Sequence, residues 1–99
     1  MKAKIVKKGT WLYDGLIEKP VDIVAMGFDW WYELAKADEQ LEEGEKPEPL
    51  GKDGYLYYVR FQNAGEAELP TWVDSAGYGN LEEAIKEAEA KIQGAIKWC

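Results

Sequence analysis

The chain has 99 residues, 46% of them apolar and 31% charged, a formal net charge of −7, and no histidine. That length holds one domain with a modest core, and that composition describes a soluble globular protein rather than a disordered one. With 19 acidic against 12 basic residues and Arg60 as the only arginine, nucleic acid is a poor partner, because phosphate binding needs clustered Lys and Arg.

Residues 3–8 alternate weakly, and residues 2–8 carry four lysines. That suits an edge strand kept from pairing with other chains. The same lysines have the charge of a signal peptide, but no apolar segment follows them. No run approaches the roughly 18 apolar residues of a membrane span. A cytoplasmic location with no membrane partner is therefore expected. Gly9-Thr10 breaks the strand, Trp11-Leu12-Tyr13 extends the ribbon, and Asp14-Gly15 is a tight-turn dipeptide from which Leu16 to Lys19 returns. Pro20 is expected to interrupt the return, because it has no N–H for a ladder. Val21 to Met26 is a β-branched run that reads as a strand, and Gly27 marks a kink after it.

Residues 28–36 are rich in aromatics and read as a strand as well. Side chains alternate across a strand. Phe28, Trp30, Tyr32 and Leu34 then share one face, matched across a hairpin by Tyr55, Tyr57, Val59 and Phe61. The opposite face would carry Trp31, Leu56 and Tyr58 and would need a cover of its own. Helix competes over residues 30–43, since Glu, Leu, Ala and Lys favour it. Residues 38–54 hold two prolines, three glycines and seven acids against two lysines, and form a long loop. A strand over 55–62, a turn at Asn63-Ala64-Gly65 and a short strand over Pro70–Asp74 follow.

Leu81, Ala84, Ile85, Ala88, Ile92 and Ala95 recur at helical spacing and predict a C-terminal amphipathic helix. Asn80 caps it, with Glu83 completing a capping-box pair, and Gly94 is its expected stop. Ile96 and Trp98 are expected to tuck under the core. The fold class is α+β: a single domain over residues 1–99, with a twisted, mainly antiparallel sheet of four or five strands and one C-terminal helix packed on one face.

Chemistry is sparse. Without histidine there is no Ser-His-Asp arrangement around Ser75, the only serine, and no Cys/His spacing for a metal. No catalytic residue, metal ligand or cofactor is assigned. Cys99, the lone cysteine, reads as a frayed terminal thiol. Asp29 and Glu33 would flank Trp31 on a strand, an arrangement that can hold a sugar or work as acid and base, although two solvated acids explain it more simply. The acids of the 38–48 stretch lack the spacing of a calcium loop, and Gly77-Tyr78-Gly79-Asn80 lacks the further glycine and lysine of a phosphate loop.

The aromatics remain. The expected function is a non-catalytic interaction module whose contact patch is Trp31, Leu56 and Tyr58 with Asp29 and Glu33 beside it. The acidic loop would steer a basic protein partner toward that patch. The alternatives are a small-molecule site lined by Trp31 and Tyr58 with Asp29 or Glu33 as acid or base, a homodimer, or a second face covered by residues 1–20.

Overall fold

The computed structural model describes residues 4–65, 72–92 and 94–99. The elements run β1 (Lys4–Tyr13), β2 (Ile17–Met26), α1 (Trp30–Ala37), β3 (Leu56–Arg60), α2 (Leu81–Ala90) and β4 (Lys97–Trp98). The strands form one antiparallel sheet in the order β3-β2-β1-β4. The α+β class and the C-terminal helix stand as expected from the sequence. Among the described residues no helix is long and apolar enough to cross a membrane.

The hairpin of β1 and β2 turns at Asp14 and Gly15, whose φ values of 57° and 71° are the left-handed pair that a type I′ turn demands. β1 is not a bare edge: β4 adds to it at Gly9 and Thr10, where a Cβ on Gly9 would sit 2.7 Å from the Lys97 carbonyl. Ala3 lies outside the described residues.

Pro20 does not end β2; it pairs with Thr10 inside the strand. The hydrogen-bond alternation explains this. Tyr57 and Val59 of β3 direct their backbone groups away from β2, toward Tyr78, Asp74 and Ser75. The β2 residues bonded to β3 are thus Asp22, Val24 and Met26. The next position on that side is Pro20, beyond the end of β3, where the missing N–H faces no strand among the described residues.

The stretch expected as a strand over 28–36 is helix α1 instead. Asp29 is its N-cap, its carboxylate accepting the Tyr32 N–H at 3.1 Å, with Glu33 in the first turn and Lys36 in the last. One good cap followed by helix formers outweighs aromatic content, because the strand preference of aromatics depends on the surface they pack on. The hairpin expected between residues 28–34 and 55–61 is therefore absent, and β3 pairs with β2.

Both faces of the sheet are covered. On one, Val21, Ile23, Ala25, Tyr57 and Val59 pack under Ala84 and Ala88 of α2, with Ile96 beside them. Leu81, Ile85, Ile92 and Trp98 close its margins. Asn80 caps α2 through the Glu83 N–H at 2.9 Å, and the helix ends at Ala90, ahead of Gly94. Ala95, expected on the buried face, is exposed.

On the other face Val24, Met26, Leu56 and Tyr58 pack against Trp30 and Val73, with Ile5, Phe28 and Leu34 around them. Arg60 and Asp22, paired across β3 and β2, extend this face. Arg60 Nε and Nη2 donate to the two Asp22 oxygens at 2.8 and 2.7 Å, and the Gly65 N–H reaches the same carboxylate at 2.7 Å. The pair is fully buried. The cover of this face comes from α1 and residues 72–75, with only Ile5 contributed by residues 1–20.

Of the short strand expected over Pro70–Asp74, residues 72–74 are described and are not strand. Pro70 and Thr71 lie outside the described residues, and residues 72–77 follow β3 largely through side chains. The Asp74 carboxylate accepts the Phe61 and Gln62 N–H groups, and Ser75 Oγ accepts that of Val59. Among the described residues, the outer edge of β3 is thus satisfied without a regular fifth strand.

Candidate functional site

The site builds outward from Trp30. As the first residue of α1 it points into the sheet and is buried, and its N–H, one of the helix's unpaired donors, bonds the Tyr58 hydroxyl at 2.8 Å. Trp31, one position on, is carried to the helix flank. Trp72 arrives from the segment beyond β3. The three indoles meet edge to face: Trp30–Trp31 at 4.8 Å and 89°, Trp30–Trp72 at 5.0 Å and 81°, Trp31–Trp72 at 5.8 Å and 85°. Trp31 is anchored further by its Nε1–H, which donates to the Ser75 carbonyl at 2.8 Å.

Trp30 is the inner member, while Trp31 remains 38% and Trp72 47% exposed. Two large aromatic side chains therefore stand side by side at the surface on a buried third. Next to them Asp29, Trp31, Tyr32, Ala35, Leu41, Glu45 and Lys46 line a shallow hollow of 170 Å³.

The expected patch is only partly assembled. Trp31 reaches the surface, but Leu56 and Tyr58 are 1% and 0% exposed, shut beneath α1 and Val73, and cannot contact a partner. The error follows from reading α1 as a strand: without the helix those two side chains had no visible cover. Tyr58 is structural, and its burial pushes the phenol pKa up to about 12.

Asp29 and Glu33 do not flank Trp31 on a strand. Both Asp29 oxygens are taken by backbone donors, Tyr32 N–H for one and Glu48 N–H at 2.7 Å for the other. Asp29 therefore staples the acidic loop to the start of α1. Glu33 sits in the first turn, favourable against the helix dipole. Ser75 holds Val59 and is likewise structural.

Trp72 was missed as a site residue, because nothing local tells an exposed tryptophan from a buried one. A second exposed apolar region lies at the hairpin tip, where Leu12, Tyr13, Leu16 and Ile17 are open to solvent. There Tyr13 and Ile17 face one side of the ribbon and Leu12 the other, so they do not merge into one patch. Among the described residues, no three Asp, Glu or Cys side chains cluster in a way that could hold a metal ion. Comparison with protein-family models, with curated proteins and with solved structures returns no match to this chain, so the functional reading rests on its own residues.

Proposed function

We propose that the chain is a non-catalytic protein-interaction module whose contact surface centres on Trp31 and Trp72. The observation that carries this reading is the pair of adjacent, half-exposed indoles propped on a buried third. Tryptophan is the residue type most enriched at binding hot spots, and rigid support lowers the entropy lost on contact. The engagement of both Asp29 oxygens by backbone donors supports a structural carboxylate over a general acid or base. The loop that Asp29 holds carries the acids expected to steer a basic partner.

The test uses the wild-type chain and its Trp31→Ala and Trp72→Ala variants as bait. A partner retained by the wild type should be lost from both variants while far-ultraviolet circular dichroism stays native. Equal retention by all three chains would remove the patch from the interaction, and a Trp31→Ala chain that unfolds would make that residue structural. The hollow beside Trp31 favours a second reading, a site for a sugar or small planar ligand. Saturable quenching of tryptophan fluorescence by methyl glycosides would support it, and a flat titration would oppose it.

A further inference from the structure

We propose that the corner between Trp31 and Trp72 receives a cationic side chain from a basic peptide segment, an arginine or lysine laid against both indole faces. This rests on the interaction reading above and specifies what the surface takes.

The geometry of the rings is the first ground. An indole face carries negative potential and attracts a cation within about 6 Å of its centroid. Trp31 and Trp72 stand 85° apart with centroids separated by 5.8 Å, so one cation in their angle lies within reach of both faces. Trp30, nearly perpendicular to each, fixes that angle from below. Among the described residues, none of the chain's own lysines or its arginine lies over either ring. At the hairpin tip the opposite holds: the Lys19 ammonium sits 4.5 Å from the Tyr13 centroid and already occupies it.

Charge is the second ground, and it is independent of the rings. Residues 29–48 carry eight carboxylates and two lysines, most of the chain's −7. The Asp29–Glu48 hydrogen bond ties this stretch to the helix that presents Trp31, and Glu45 lines the hollow beside that ring. Lys46 is the single cation in that lining. Apolar aromatic surface and negative field thus coincide here, a combination that attracts basic segments and repels acidic ones. Arginine fits better than lysine, because its planar, weakly hydrated guanidinium stacks on an aromatic face.

The probe is a short oligoarginine peptide, with an uncharged Gly-Ser peptide as control, titrated into the full chain. Indole fluorescence and the indole N–H resonances report binding, and light scattering reports mass on the same samples. Saturable binding of oligoarginine alone is expected, weakened roughly three- to tenfold by Trp72→Ala and by Trp31→Phe. Glu45→Gln should weaken it less and flatten its salt dependence. Native circular dichroism in each variant separates these losses from unfolding. Absence of saturable binding overturns the proposal, as does binding that the tryptophan variants leave unchanged. A wild-type dimer that Trp72→Ala converts to monomer overturns it too, by making a second copy the occupant. A captured partner that needs Trp31 but contacts it without a basic residue would overturn the cation assignment while leaving the interaction reading intact.

Discussion

The two faces of the sheet solve the same problem with opposite materials. Under α2 the cover is thin: Ala84 and Ala88 bring the helix backbone close to strands whose bulk comes from Tyr57, Val59 and Ile23. Under α1 the cover is thick, built from Trp30, Phe28 and Leu34 together with Val73, and it extends to a buried ion pair. On the α1 side Trp31 and Trp72 remain at the surface beside this cover. The candidate site is thus an outgrowth of how one face is packed.

The contrast can be broken most strongly at Arg60. Truncating it to alanine strands the Asp22 carboxylate in the interior and should cost about 3–5 kcal/mol, read as a lowered urea midpoint. Replacing both partners by apolar residues, Asp22→Leu with Arg60→Met, should recover only part, because the Gly65 N–H loses its acceptor. A double variant no better than Arg60→Ala would contradict this account. On the thin side, Ala88→Leu forces bulk between helix and sheet and should cost about 1–3 kcal/mol, against under about 1.5 kcal/mol for Leu34→Met at the margin of the thick side. An Ala88→Leu chain as stable as the wild type would show that α2 does not lie close on the strands beneath it.

The smallest effect separates the faces by their phenols. Tyr57, on the α2 side, is held up to about 12 chiefly by its hydrogen bond to Asp53, then by burial. Tyr58, on the α1 side, reaches about 12 chiefly through desolvation. Both bind their proton more tightly folded than unfolded, where the value is 10.0. Their contribution to stability is therefore complete below about pH 10 and drains away as the pH rises toward 12. Phenolate absorbance should show Asp53→Asn lowering the Tyr57 transition and leaving that of Tyr58 in place. A joint shift would mean the two share one cause.

Much of the α2 side was legible because its signals are local. The alanine and isoleucine spacing, the Asn80–Glu83 pair and the Asp14-Gly15 turn each act within a few residues. The α1 side was not. Its identity as a helix turns on one capping carboxylate against a run of aromatics that strands also favour, so Asp29 decides what Trp30 to Leu34 become. Leu56 and Tyr58 look exposed until that helix is placed over them. The juxtaposition of Trp31 and Trp72 needs both α1 and the side-chain-bonded course of residues 72–77 beside β3, and neither follows from neighbouring residues alone. Pro20 was misjudged because its tolerance depends on where β3 stops.

That proline has a further consequence. Among the described residues, no strand pairs with the β3-side margin of β2 near the hairpin tip, and this margin lies close to exposed Leu16 and Ile17. With the donor at position 20 missing, a strand docking there would find a gap in its ladder and an orphaned carbonyl of its own. The part of the molecule with the most sticky side chains is thus a poor template for fibre growth, and Pro20 acts as a gatekeeper against aggregation.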